Sequence, residues 1–233
     1  MLFLLSDNKV YKLILDTKTM EYDEELIKVE DLTLKRINSG EFQKEFPELY
    51  ELQRMSEHNA WYSKGSVFNH TMNAAFLLEQ IEKKLPVAVI QYLDEKIDDN
   101  TNRDILHIAS YFKDIGKSYT LIKSKHGTRF PEFDKVGAEF SILILDRIFM
   151  SDLEKKIITN LIANQNSLVN IVHLKNQYLE KHYNNLEKDK SEIIIELNLL
   201  SLADTLNSAN LKIKNPDEYH FRIDFYKNNL MQF

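Results

Sequence analysis

Five glycines and four prolines in 233 residues leave this chain too few turn formers for an all-β fold. A sandwich or barrel needs a turn signal roughly every 8–12 residues. Collagen-like and low-complexity architectures are excluded on the same ground. What remains is a mostly helical chain, in which long elements need few breaks. Hydrophobic residues at 43% and charged residues at 28% suit a globular protein. The length fits one domain with a small appendage.

Cysteine is absent, so disulfides, thiolate metal sites and cysteine nucleophiles are excluded. The formal net charge of −6 carries no footprint of broad nucleic-acid binding, although it leaves room for a local basic pocket. No run of ~18 apolar residues occurs, so no membrane span is expected. Met1 to Leu5 is apolar but gives way at once to Ser6-Asp7-Asn8-Lys9, too short for a signal-peptide core. The expectation is a soluble, cytoplasmic protein.

The chain divides near residue 40. In 1–40, Met1 to Leu5 and Val10 to Leu15 flank turn residues and predict a small β-hairpin. Glu24 to Leu34 reads as helix or loop. From 41 to 233 the spacing is helical. Phe46-Pro47 opens a short helix. Val67, His70, Thr71, Ala74, Leu78 and Ile81 share one face, and so do Ile105, Ile108, Ala109, Phe112 and Ile115. Gly116 reads as the C-terminal stop of the second. Residues 117–134 read as irregular, and Val136 to Met150 as a buried helix. Ser151-Asp152-Leu153-Glu154 is a capping box. Ser191 to Leu211 reads as one long helix, and Asn215-Pro216-Asp217-Glu218 as a strong helix start. The fold class expected is all-α, a bundle of seven to nine helices with a small N-terminal β element.

Three polar residues break the apolar pattern. His70 lies with Val67 and Ala74, and Asp204 with Leu197, Leu200 and Ser208. Asp114 closes the Ile105–Ile115 run, where an acid opposes the helix dipole by roughly 0.3–1 kcal/mol. A carboxylate on a packed face needs a pair, a hydrogen bond or a cation. Each residue alone also reads as a satisfied structural group.

Ser66-Val67-Phe68-Asn69-His70-Thr71, Phe112-Lys113-Asp114-Ile115-Gly116-Lys117, Phe130 to Glu139 and Leu202-Ala203-Asp204-Thr205-Leu206-Asn207 follow one another at suitable intervals. Together they resemble the HD-domain superfamily of metal-dependent phosphohydrolases, most nearly the HD module of bacterial CCA-adding enzymes (tRNA nucleotidyltransferases) and its stand-alone relatives, over about residues 42–210. The resemblance implies a helical bundle holding one divalent ion (manganese, iron, zinc or magnesium) on His70, Asp114 and Asp204. That ion would turn bound water into a hydroxide nucleophile. Lys117, at the pocket mouth in that picture, would meet phosphate together with Arg129 and Lys135; the alternative for all three is solvated surface.

The pattern departs from the family at telling positions. Lys113 replaces the histidine of the His-Asp pair, and a protonated lysine cannot ligate a metal. Phe133 stands where many relatives carry another histidine, and Asn164 and Asn166 where some two-metal relatives do. A two-metal site is therefore not expected. His58 and His126 are rescue ligands by loop position, whereas His107, about 10.5 Å along the helix from Asp114, is too distant. Two readings of Lys113 stand. Its ammonium replaces the ion among His70, Asp114 and Asp204, or the side chain turns outward to solvent. Trp61 and Tyr62 stack on a base or plug the core.

The functional expectation is a phosphohydrolase-like module with a degenerate site, either metal-free or with one ion. It would bind a small phosphate-containing ligand such as a nucleotide, or a protein partner. The alternative is an active hydrolase using His70, Asp114 and Asp204, with Lys113 and Lys117 beside the chemistry. No nucleotidyltransferase loop precedes the module, so nucleotide addition is not expected.

Overall fold

The computed structural model describes residues 26–62, 65–125, 127–173 and 178–233. The hairpin expected over Met1 to Leu15 lies outside them, as does His126. The described residues are predominantly α-helical, with three two-stranded strand pairs. The helices are α1 (Leu34–Asn38), α2 (Pro47–Glu51), α3 (Val67–Glu82), α4 (Val87–Asp94), α5 (Asn102–Phe112), α6 (Lys117–Thr120), α7 (Phe133–Leu145), α8 (Asp152–Asn164), α9 (Ser167–Val172), α10 (Leu179–Asp189), α11 (Ile194–Asn207), α12 (Ala209–Lys214) and α13 (Pro216–Leu230). Thirteen exceeds the seven to nine expected, because five are only four to six residues long.

Strand β1 (Ile27–Lys28) pairs in parallel with β6 (Ile148–Phe149). Antiparallel pairs join β2 (Ser56–Glu57) to β3 (Gly65–Ser66) and β4 (Ile122–Ser124) to β5 (Gly127–Arg129). No described helix is long and apolar enough to cross a membrane.

Local chemistry explains several helix starts. Ser66 accepts a hydrogen bond from the Asn69 amide and so caps α3. Ser151 and Glu154 form the expected capping box of α8, and Asn215 caps α13 ahead of Pro216. Three expectations need correction. The helix expected to reach Met150 ends at Leu145. Arg147 leaves it to bind Glu48 at 2.8 Å, and buried Ile148 pairs with Ile27. The long helix expected over Ser191 to Leu211 breaks at Ser208, whose backbone (ψ 76°) is not helical. The connection expected to be irregular holds α6 and the β4–β5 hairpin.

Gly116 also plays a different part from the one its sequence position suggests. Helix α5 stops at Phe112, and Gly116 has an ordinary right-handed φ. A Cβ there would sit 2.0 Å from the Phe133 carbonyl oxygen and 2.5 Å from the Gly137 nitrogen. The glycine lets the turn after α5 touch the backbone of α7.

Helix α3 packs on both α5 and α11, α7 lies on α8, and α13 covers α11. Their apolar faces form one core, which also takes in Leu32 and Ile37 from the N-terminal end of the described chain. Glu196 of α11 is buried in it, with the Tyr92 hydroxyl donating to Oε1 at 2.7 Å. Burial pushes its carboxyl from 4.5 up to about 7. The proton is held more tightly in the folded state, so stability falls as pH rises from 4.5 to 7.

Two outcomes follow from this packing. Gly116→Ala should destabilise the fold by about 1–3 kcal/mol, read from the urea midpoint, because α7 must move to admit the methyl group. Glu196→Gln should remove a penalty of about 3 kcal/mol above pH 7, so its gain in melting temperature should be clear at pH 8 and small at pH 4.5.

Candidate functional site

Several chain segments converge on a cavity of about 610 Å³. Helix α3 brings His70, the turn after α5 brings Lys113, Asp114 and Lys117, and α11 brings Asp204. Strand β2 ends in Glu57, and the loop after it adds Trp61 and Tyr62. Arg129, Phe130 and Phe133 complete the wall from β5 to α7. The three residues singled out on apolar faces therefore meet, although they lie 44 and 90 positions apart in sequence.

Lys113 does not turn outward. Its ammonium lies 2.9 Å from Asp114 Oδ2 and 3.0 Å from Asp204 Oδ1. Lys117, expected at the pocket mouth, is also buried. It reaches both oxygens of Glu57 at 3.2 Å and Asp114 Oδ1 at 3.1 Å. Rings of Phe133, Phe130 and Tyr62 surround it, their centroids 5.0, 5.3 and 5.9 Å from Nζ. Two ammonium groups thus face three carboxylates with little access to solvent.

The pKa shifts follow from that arrangement. Burial alone would lower the Lys113 ammonium, but Asp114 and Asp204 overcome it and hold it above the ordinary lysine value. Burial would raise Asp114, but Lys113, Lys117 and His70 hold it far below the usual carboxylate range. Asp204 and Glu57 go the other way, since burial outweighs their lysine partners. His70 is held well below its ordinary value by burial and by the two lysines, and is neutral.

The tautomer of His70 follows from Asn207. The side-chain nitrogen of Asn207 lies 2.9 Å from the His70 carbonyl oxygen and 2.7 Å from His70 Nδ1. A carbonyl only accepts, so the NH2 end faces His70 and also donates to Nδ1. The ring proton then belongs on Nε2, the nitrogen 3.9 Å from Asp114 Oδ2 and 3.8 Å from Asp204 Oδ1. A metal-ligating histidine shows the reverse pattern, donating from its other nitrogen to an acceptor. These residues do not fit a divalent ion: Lys113 already contacts both carboxylates, and His70 presents N–H where a ligand needs a lone pair.

The other sequence candidates are placed apart or on the rim. His107 is bound to Glu82 at 2.6 Å, away from the cavity. His58 is exposed and does not line it; its backbone is stitched to Thr128. Lys135 is exposed and paired with Glu132, whereas Arg129 is exposed at the cavity mouth. Asn166 lines the cavity and donates to Asp134, while Asn164 turns back to Asn160. Trp61 and Tyr62 are half-buried in the cavity wall, and Trp61 also packs against the core.

Several site residues carry no sequence expectation. Thr71 shares its hydroxyl proton between the Val67 carbonyl and Asp114 Oδ2, each at 2.9 Å. Gln165 donates to the Lys113 carbonyl at 2.7 Å and fixes the turn. Asn59 accepts from the amides of Trp61 and Tyr62, and Asn210 donates to the carbonyls of Asn59 and Tyr62. Glu57 has no periodic signal. Thr71 and Asn207 stand inside the motifs already singled out, and their polarity beside a candidate ligand is the available clue.

No protein-family model matches the chain, and no curated protein matches it by sequence.

Removing Lys113 would leave half-buried Asp204 without its ammonium partner and Asp114 with Lys117 and Thr71 alone. Lys113→Met should cost about 3–5 kcal/mol in chemical denaturation. The loss should shrink at acid pH, where Asp204 takes up a proton.

Proposed function

We propose that this chain is an HD-like binding module in which an internal lysine replaces the metal ion, and that it holds a small molecule without metal-assisted hydrolysis. The observation that carries the reading is the position of the Lys113 ammonium, in contact with both Asp114 and Asp204. The convergence of His70, Asp114 and Asp204 in one cavity supports the HD likeness. The lysine supplies one positive charge where a dication would supply two, and it has no open coordination position to activate water. The cavity is of small-molecule size and its wall includes the rings of Trp61, Tyr62, Phe130 and Phe133, which suits a ring-bearing ligand such as a nucleotide better than a protein partner. Arg129 at the mouth is the group placed to meet a phosphate.

The test is elemental mass spectrometry on protein purified without chelator or metal-binding tag, before and after titration with manganese, iron and zinc. The expected result is far less than one equivalent bound, and no turnover of phosphomonoesters or phosphodiesters above the uncatalysed rate. One equivalent of metal, lost in Asp114→Asn or Asp204→Asn, together with turnover, would restore the hydrolase reading.

A further inference from the structure

The resemblance would put a ligand's phosphate on the floor of the cavity, but the floor has the wrong charge for that. Its five charged groups are Glu57, Asp114, Asp204, Lys113 and Lys117, an excess of one carboxylate. Four of them have side chains no more than 4% exposed, whereas Asp204 is 19% exposed. A ligand entering from solvent therefore meets a carboxylate first. Both ammonium groups are already committed to carboxylate oxygens.

We propose that the cavity takes a planar ring bearing an amino group, of nucleobase size, with the amino group directed to Asp204 and any phosphate left at the mouth beside Arg129. This rests on the metal-free reading, because an ion would cap Asp204. A carboxylate accepts from N–H and repels carbonyl and phosphate oxygens. The wall supplies the stacking surface. Trp61 is held from behind by the Arg222 guanidinium, 4.6 Å from its ring centroid, and fully buried Arg222 is itself fixed by Glu218 at 2.8 Å. An aromatic surface fixed in advance loses little entropy when a ring stacks on it. The ligand thus sits the opposite way round from a phosphoester presented to a metal hydroxide.

Isothermal titration of the full chain with adenosine, inosine, AMP and inorganic phosphate tests this. Adenosine and inosine differ in an amino group against an oxo group. Adenosine should bind at least ~10-fold more tightly than inosine, since the oxo group leaves Asp204 facing another acceptor. Asp204→Asn should abolish that preference. Should this variant fail to fold, Trp61→Leu should weaken adenosine and AMP alike. Arg129→Gln should remove only the extra affinity of AMP over adenosine, and inorganic phosphate alone should not bind. Equal or tighter binding of inosine, absence of nucleoside binding, or competition by phosphate for the nucleoside site would overturn the proposal. Those results in a metal-free protein sink only the ligand orientation, whereas bound metal with phosphoester turnover sinks the reading beneath it.

Discussion

A buried ammonium is tolerable only when carboxylates surround it, and a buried carboxylate only when donors surround it. The centre of this protein joins both conditions in one cluster. Lys113 ties the turn after α5 to α11 through Asp204, and Lys117 ties it to the end of β2 through Glu57. Asp114 lies between the two lysines, with Thr71 of α3 as a further donor. Three helices and a loop are thus locked by charges that have little access to water. A change to any member unbalances the charges of its partners, so the cavity's shape depends on the cluster as a whole.

That dependence explains why the surroundings are so heavily specified. Gly116 admits α7 to within backbone contact of the turn, which brings Phe133 against Lys117. Gln165 clamps the Lys113 carbonyl, and Asn207 fixes His70 by two hydrogen bonds. Asn59 and Asn210 shape the loop that carries Trp61 and Tyr62. Uncharged amide and hydroxyl groups set the geometry, and the charged groups set the field. The resulting cavity combines four aromatic rings, a carboxylate within reach of solvent and, on its rim, Arg129 of β5.

Periodic and capped elements are legible in the sequence. The faces of α3 and α5, the capping box of α8 and the Asn215-Pro216 start of α13 depend on residues within a few positions of one another. The misplaced boundaries share a cause. Helix α7 ends where Arg147 finds Glu48, a partner 99 residues away, and the break at Ser208 falls where α11 gives way to a chain segment held against the loop carrying Trp61. Gly116 stands out by its rarity, but its role is misread from its position, because close backbone approach has no local signature.

Composition and spacing were enough to settle the helical class, the absence of thiol chemistry, and the three polar residues that had to be satisfied inside a core. They also showed that Lys113 could not be a metal ligand, since that follows from the chemistry of an ammonium group alone. The tertiary fold settled the direction in which Lys113 points, the pairing of Lys117 with Glu57, and the proton position on His70. Each depends on which distant carboxylate or amide arrives beside it, and electrostatics in a dry interior acts on distance in space, not on spacing along the chain.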